Sequence, residues 1–289
     1  MSDTTVTTKR ISKPDWLKIK LPSGKEFSEV KQNVENNRLH TICESGKCPN
    51  QTECWGAGTA TLMILGNVCT RSCMFCSVAT GNPEQVDITE PLRVAESVKL
   101  MGLKHVVITS VDRDDLIDGG SKIWAATIRA IRRKNPGVTL ETLIPDFKGV
   151  KENIQQIIDV KPEVVSHNLE TVKRLTRQVR IQALYERSLA VLLQLKEGGI
   201  ERTKSGLMLG LGETEVEIFE AMDDLRHSKV DILTLGQYLQ PTRNHLPVAR
   251  YVTPQEFARY KAVALEKGFK YVESGPMVRS SYHAEKHLY

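Results

Sequence analysis

The stretch Cys69-Thr-Arg-Ser-Cys73-Met-Phe-Cys76 follows a short apolar run at residues 61–65. Apolar runs of this length, ended by polar residues, predict a β-strand buried on both faces. The three cysteines, called the barrel triplet below, therefore lie at the carboxyl end of the first predicted strand, where α/β barrels carry their chemistry. Three thiolates at this spacing can hold three irons of a four-iron, four-sulfur cluster and leave the fourth iron open, whereas a structural zinc takes four closed ligands.

Outward from this stretch, short apolar runs alternate with helical runs, an order that predicts right-handed crossovers and a parallel sheet. The clearest helix signal is Thr253-Pro254-Gln255-Glu256, which has an N-cap, a Pro at the first helical position and a capping box. It predicts a helix over residues 254–267, and apolar periodicity predicts another over 121–134. We predict an α/β fold, a partial (β/α)6 TIM-like barrel with N-terminal and C-terminal extensions. The six strand runs lie at residues 61–65, 105–109, 139–144, 164–167, 204–209 and 232–235.

The composition limits the cellular compartment and the classes of partner that we expect for the protein. All six cysteines of the 289-residue chain lie between Cys43 and Cys76. Disulfides need an oxidising compartment, but residues 1–10 lack the apolar core of a secretory leader, and no run approaches the roughly 18 apolar residues of a membrane span. The net charge of +5 is too small to indicate nucleic-acid binding. We therefore expect a cytoplasmic protein, with no membrane or nucleic-acid partner, whose thiols are free to bind metal.

A second set of three cysteines lies within Cys43-Glu-Ser-Gly-Lys-Cys48-Pro-Asn-Gln-Thr-Glu-Cys54 and is called the N-terminal triplet below. The chain has no seventh cysteine. A second four-iron cluster would thus either be open at one iron or be completed by a side chain other than cysteine. We assign residues 1–58 to an N-terminal extension with these cysteines, 59–270 to the barrel and 271–289 to a C-terminal extension.

The barrel triplet, with Phe75 before its last cysteine, resembles the motif of the radical S-adenosylmethionine (SAM) superfamily. Both triplets together, with Arg279-Ser280-Ser281-Tyr282-His283-Ala284 and Lys13-Pro14-Asp15-Trp16-Leu17, resemble the lipoyl synthase family across nearly the whole chain. In that family the second Ser of the C-terminal motif is the fourth ligand of an auxiliary cluster, which corresponds to Ser281. His283 is the rival ligand, because imidazole also binds iron.

This resemblance implies two [4Fe–4S] clusters and SAM as cofactors. The barrel triplet would hold the cluster that cleaves SAM to a 5′-deoxyadenosyl radical. The N-terminal triplet would hold an auxiliary cluster that donates sulfur to C6 and C8 of an octanoyl chain. A Ser oxygen is a poorer match for iron in such a cluster than a thiolate is, so Ser281 would mark its labile corner.

Position at a strand end suggests which residues contact SAM. His167-Asn168-Leu169-Glu170-Thr171 ends the fourth predicted strand and begins a predicted helix, which places Asn168 and Glu170 over the barrel mouth. A carboxylate there can accept hydrogen bonds from ribose hydroxyls or the SAM ammonium. The alternative is that Asn168 or Thr171 caps the helix and Glu170 lies in its first turn. Arg180 is a candidate clamp for the SAM carboxylate, with an ordinary surface arginine as the alternative.

The resemblance also implies partners. The octanoyl chain would be carried on a lysine of a lipoyl-carrier domain, either the 2-oxoacid dehydrogenase E2 subunit or the glycine cleavage H protein. The electron donor would be a protein such as ferredoxin or flavodoxin. Two alternatives remain: another sulfur-inserting radical SAM enzyme, such as one like biotin synthase, and a non-enzymatic iron–sulfur electron-transfer protein.

Overall fold

The computed structural model of the protein describes residues 12–18, 25–57 and 59–288. The expectation drawn from residues 1–10 lies outside these ranges. Short 3-10 turns occur at Asp15–Leu17, Phe147–Gly149, Lys173–Leu175 and Ala284–Leu288. The α-helices are α1 (Lys25–Asn36), α2 (Ile42–Ser45), α3 (Gln51–Gly56), α4 (Glu90–Leu100), α5 (Ser121–Lys134), α6 (Lys151–Val160), α7 (Thr176–Val179), α8 (Tyr185–Glu197), α9 (Glu215–His227) and α10 (Pro254–Glu266).

Seven parallel strands and one short antiparallel strand form the main sheet, in the order β1-β2-β5-β6-β7-β8-β9-β10. A two-stranded ribbon, β3-β4, lies beside it and contains Cys69. The strands are β1 (His40–Thr41), β2 (Thr61–Ile64), β3 (Val68–Cys69), β4 (Ala79–Thr80), β5 (His105–Ser110), β6 (Thr139–Leu143), β7 (Val164–Ser166), β8 (Arg202–Leu209), β9 (Ile232–Gln237) and β10 (Tyr271–Gly275).

The predicted α/β partial barrel is confirmed, and so are its six strands, with small shifts at their ends. The prediction missed two outer strands. β10, with the sequence Tyr-Val-Glu-Ser-Gly, buries only Val272 and has no apolar run. It forms because the edge of β9 pairs with it in register, from Tyr271 opposite Ile232 to Gly275 opposite Gly236. The sheet is therefore one parallel strand wider than predicted, and it enters the region assigned to the C-terminal extension.

Two apolar clusters fill the space between the sheet and its outer helices. One joins β2, β5, β6 and β7 to α4, α5 and α6, and the other joins β8, β9 and β10 to α8, α9 and α10. The predicted capping box of α10 is present, since Thr253 accepts from the Glu256 N–H and the Glu256 side chain accepts from the Thr253 N–H. Within the described residues, no helix combines the length and apolarity needed to cross a bilayer.

The barrel is open between β1 and β10, the two edges of the sheet. Residues 276–288, called the C-terminal segment below, follow β10 and contact the N-terminal extension. The Asn50 amide donates to the carbonyl of Met277 at 2.7 Å, and the Tyr282 hydroxyl donates to Glu53 at 2.9 Å. The two extensions are thus joined to each other beside the open barrel.

Candidate active site

One cavity of about 1240 Å³ contains every cysteine of the chain in its wall. It extends from the carboxyl ends of the strands down into the barrel, as an active-site cavity of this fold does. The sequence did not predict how far apart the two triplets lie. In the fold, both line the same cavity. The wall also contains the other predicted site residues: Phe75, Asn168, Glu170, Arg180, Ser281 and His283.

The loop of the barrel triplet is held by hydrogen bonds from three sides. The Cys69 sulfur accepts from the backbone N–H of Arg71 at 3.4 Å and of Asp112 at 3.3 Å. The Met74 N–H donates to the carbonyl of Val179 at 2.9 Å. His245 Nε2 lies 2.9 Å from the carbonyl oxygen of Cys76. These hydrogen bonds define the shape of the loop.

Arg71, inside this loop, was not predicted as a functional residue. Its guanidinium is 3% exposed and pairs with Asp112 at 3.3 Å, Asp114 at 2.7 Å and Asp146 at 2.6 Å. These carboxylates follow β5 and β6, so Arg71 fastens the loop to two strand ends. Burial raises the pKa of Asp112 to about 6 against the opposing charge of Arg71. The signal in the sequence was an arginine among the cysteines and an Asp-rich loop after the second predicted strand.

All six thiols are free, and burial raises the pKa of each of them. Neighbouring thiols add to the effect: Cys43 and Cys48 help raise the pKa of Cys54 to about 12, and Cys69 and Cys76 help raise that of Cys73 to about 12. Each triplet is therefore a close set of thiols that needs a strong positive charge to become a set of thiolates. An iron–sulfur cluster supplies that charge, so the donor sets fit one.

The geometry also bears on the zinc alternative. In the parts of the chain that the structure describes, no three His, Cys, Asp or Glu side chains converge as the ligands of one metal ion would. Zinc needs such convergence, with thiolate sulfurs about 2.3 Å from a single ion. In an iron–sulfur cluster each cysteine binds a different iron, so the thiols stand farther apart.

The N-terminal triplet lies around a small apolar cluster that includes the buried Trp55. Ser281 belongs to the same cavity wall, and its segment is tied to this region by the bonds of Asn50 and Tyr282. Burial raises the pKa of Cys48, and the nearby positive charge of Arg279 opposes that rise. His283 also lines the cavity, with its Nδ1 3.5 Å from Glu285. Both predicted rivals, Ser281 and His283, are thus brought to the site.

Asn168 and Glu170 lie at the cavity as predicted, but the predicted helix after β7 is wrong. Glu170 instead forms an isolated bridge with β8: its N–H donates to Gly206 at 2.9 Å, and its carbonyl accepts from the Met208 N–H at 2.9 Å. The next helical turn begins only at Lys173. The alternative reading, with Asn168 or Thr171 as a helix cap, is therefore also wrong. The extra hydrogen bonds to β8 explain the difference, because they extend the sheet where a helix was expected.

The side chains at this bridge have unused hydrogen-bonding capacity. Asn168 donates to Glu170 at 3.0 Å, but its Oδ1 is buried without a hydrogen-bond partner. Burial raises the pKa of Glu170, opposed by the charge of Arg180. An unpaired buried acceptor beside a carboxylate is the pattern that a polar ligand with hydroxyl or ammonium donors would complete. The residues present therefore fit SAM.

Arg180 is buried at 7% exposure, so the surface alternative is wrong. Its Nη1 donates to the carbonyls of Asn168 at 3.1 Å and Leu169 at 3.3 Å. This fixes the guanidinium at the cavity wall, where its positive charge lowers the pKa of the Cys73 thiol against the effect of burial. Phe75 lines the cavity and packs against the second apolar cluster.

The fold and this site define a radical SAM protein. A model of the radical SAM superfamily matches residues 63–225. A model of the N-terminal domain of lipoyl synthase matches residues 3–48. The chain is similar to the lipoyl synthases of Flavobacterium johnsoniae, at 64% identity over 96% of both chains, and of Bacteroides fragilis, at 59% over 97% of both. The mitochondrial lipoyl synthase of Nematostella vectensis is 63% identical over 97% of this chain and 96% of its own. The chain belongs to the lipoyl synthase family.

Solved structures with low sequence identity share the fold. The FeFe-hydrogenase maturase HydG from Carboxydothermus hydrogenoformans has a TM-score of 0.55 and 14% identity, covering 91% of this chain and 77% of that one. SuiB of Streptococcus suis, bound to its precursor peptide SuiA, has a TM-score of 0.59 and 12% identity, covering 78% of this chain and 50% of that one. These likenesses support the partial-barrel fold alone.

Proposed function

We propose that this protein inserts two sulfur atoms, at C6 and C8, into an octanoyl chain carried on a lysine of a protein, and so forms the lipoyl group. The observation that carries this proposal is the single cavity shared by both cysteine triplets and Ser281. An enzyme that makes a radical at one cluster and takes sulfur from another must expose both clusters to the same carbon chain.

The barrel triplet would hold one [4Fe–4S] cluster, with one iron available to SAM. When bound, the cluster supplies the electron that splits SAM into a radical able to remove hydrogen from an unactivated carbon. The protein's own residues bind and orient. Arg180 takes the SAM carboxylate, and Glu170 with the unpaired Oδ1 of Asn168 takes donors of the ribose or the ammonium. Phe75 supplies apolar wall between this loop and the barrel.

The N-terminal triplet and Ser281 would hold the auxiliary cluster, and the Ser281 oxygen would be its weakest ligand. The C-terminal segment brings this oxygen to the wall that the triplet shares. The charge of Arg279 beside Cys48 offsets part of the negative charge that several thiolates bring to the site. Walls made of the barrel and both extensions exclude water from the reacting carbon.

The protein substrate is an octanoylated carrier domain, of the 2-oxoacid dehydrogenase E2 or glycine cleavage H class, which extends one acylated lysine into the cavity. A small redox protein such as ferredoxin or flavodoxin supplies electrons. We place the reaction in the cytoplasm, in line with six free thiols that remain available for iron.

Anaerobically reconstituted protein, mixed with SAM, a reductant and an octanoylated carrier peptide, tests the proposal by mass spectrometry. The expected product gains two sulfur atoms. Before the reaction is complete, an intermediate with one added sulfur atom is expected. SAM cleavage without any gain of sulfur would favour a different sulfur-inserting enzyme, such as one like biotin synthase, acting on another substrate. Absence of SAM cleavage in the reconstituted protein would favour an electron-transfer role.

A further inference from the structure

A charged pair lies buried inside the barrel, below the bridge that Glu170 makes with β8. Lys204 of β8 and Glu141 of β6 are 0% and 1% exposed, and their Nζ and Oε1 atoms are 2.6 Å apart. Lys204 lies on the same face of β8 as the cavity residues Gly206 and Met208, so its side chain points into the barrel. Barrel interiors of this kind are filled by branched apolar side chains. A buried pair there adds little stability, and its best-attested use is to fix one arrangement of the chain.

The partner of this pair comes from the C-terminal segment. His287 has a fully buried side chain, with its Nδ1 3.0 Å from Lys204 Nζ and 3.5 Å from Glu141 Oε2. Its ring packs edge-on against Tyr271, with 4.7 Å between centroids. An ammonium can only donate, so His287 Nδ1 accepts the hydrogen bond from Lys204 Nζ. Burial lowers the pKa of His287. His287 is thus the hydrogen-bonding link between the segment and this pair, and the charge of Glu285 in the same turn also acts on Lys204.

The register of the sheet shows how far the segment travels. It leaves the sheet after Gly275, at the carboxyl end of β10. His287 contacts Tyr271 and Lys204, and both of these residues pair with Ile232, the first residue of β9. The segment therefore runs from the carboxyl ends of the strands to their amino ends. Ser281 lies between these two points, and the turn Ala284–Leu288 connects it to His287.

We propose that His287 is a positioning residue. Its contacts with Lys204 and Glu141 hold the C-terminal segment in place, and the segment in turn places Ser281 beside the N-terminal triplet. This rests on the proposed function, in which Ser281 is a cluster ligand. The bonds from Asn50 and Tyr282 act beside the triplet, whereas His287 fixes the far end of the segment. Without the contacts of His287, the segment is free to move away from the cavity wall.

The first test uses the cluster-free chain, so that no metal holds the segment. In His287→Leu, amide hydrogen exchange in residues 276–288 should be at least tenfold faster than in the parent protein. His287→Asn keeps an acceptor near the position of Nδ1 and should restore most of the protection. Lys286→Ala, which removes an exposed charge in the same turn, should leave exchange unchanged. Equal exchange in His287→Leu and the parent would overturn the proposal, and so would a loss of the whole fold in circular dichroism.

The second test measures iron in a background in which the barrel triplet is replaced by alanine, so that all iron belongs to the N-terminal triplet. His287→Leu should lose this iron to a chelator several times faster than the background, and His287→Asn should resemble the background. If His287→Leu exchanges amide hydrogens faster but does not lose iron faster, the contacts of His287 do not position Ser281. Ser281→Ala separates the two proposals: it should lose iron while residues 282–288 stay protected. Unchanged iron in Ser281→Ala would remove the ligand assignment and leave the exchange result standing.

Discussion

Glu170 combines an unfavourable backbone with a position at the cavity wall. Its φ is +68°, in the left-handed region that residues other than glycine rarely adopt. Such a conformation costs of order 1–3 kcal/mol and persists only where the surroundings enforce it. Two backbone hydrogen bonds to β8 enforce it here. The strain turns the Glu170 side chain beside Asn168, whose Oδ1 stays without a partner. Strain and an unpaired acceptor at one place indicate a site built for a ligand.

Gly206 allows Asn168 to approach β8. A Cβ at this position would lie 2.6 Å from the Thr234 Oγ1 and 3.1 Å from the Asn168 Oδ1. We expect Gly206→Ala to push the Asn168 amide aside and weaken SAM binding to the reconstituted protein about tenfold, which is ~1.4 kcal/mol. Equilibrium dialysis measures the dissociation constant. Gly56→Ala adds a Cβ that meets nothing within 4 Å and should bind SAM normally. Normal binding by Gly206→Ala would count against Asn168 as a SAM contact.

Ser281→Cys tests whether the oxygen ligand matters for turnover. A thiolate binds iron in such a cluster better than a hydroxyl oxygen does, so the variant should keep about eight irons per chain. Release of sulfur should be slower, because the labile corner has become a strong one. Iron assay and mass analysis of the peptide measure the two effects. Ser280→Cys, one position away, is the matched control. A fully active Ser281→Cys protein would contradict the labile-corner role.

At the scale of elements, what could be predicted depended on how local the cause was. The capping box at Thr253 involves four consecutive residues, and the sequence predicted it correctly. The six inner strands were predicted because burial on both faces leaves an apolar run in each. β10 could not be predicted, because its pairing comes from the free edge of β9 and not from its own polar sequence. The bridge at Glu170 was missed for the same reason, since its partners lie on β8.

Helix α10 packs on the outer face of β10 and so supports the strand that leads into the C-terminal segment. Thr253→Ala removes the side-chain oxygen that accepts from the Glu256 N–H. We expect a loss of about 1 kcal/mol in the free energy of unfolding, measured by urea titration of the cluster-free chain. Thr253→Ser retains the hydroxyl and should unfold like the parent protein. An equal loss in both variants would show that the methyl group, not the cap, stabilises the helix.

For the whole molecule, the buried pair of Glu141 and Lys204 gives stability a dependence on pH. Burial alone raises the pKa of Glu141, but the charge of the adjacent Lys204 outweighs it, and the pKa stands at about 2. An unfolded Glu has a pKa of about 4.3. Glu141 therefore stabilises the folded state above about pH 4.3, and this contribution disappears as the pH falls toward about 2.

Glu141→Gln should consequently lower the stability of the cluster-free chain at pH 7 by about 3–5 kcal/mol, because it leaves the Lys204 charge buried and unpaired. The difference from the parent should shrink as the pH falls below about 4.3. Glu186→Gln breaks the exposed pair with Lys173 and should leave stability nearly unchanged, because water and salt screen such a pair. Urea unfolding at several pH values measures all three proteins. A gap between Glu141→Gln and the parent that stays constant with pH would contradict the assignment of an ionised Glu141.

The molecule places two donor sets in one cavity but keeps them separate, since the thiols that raise one another's pKa belong to the same triplet. Each triplet should therefore load iron without the other. Replacing the barrel triplet by alanine should leave about four irons and abolish SAM cleavage. Replacing the N-terminal triplet should also leave about four irons, but 5′-deoxyadenosine should still form while the octanoyl peptide gains no sulfur. Iron assay, chromatography and mass analysis distinguish these cases. Sulfur insertion by the variant that lacks the N-terminal triplet would mean that the sulfur does not come from a cluster held there. That result would contradict the role proposed for the shared cavity.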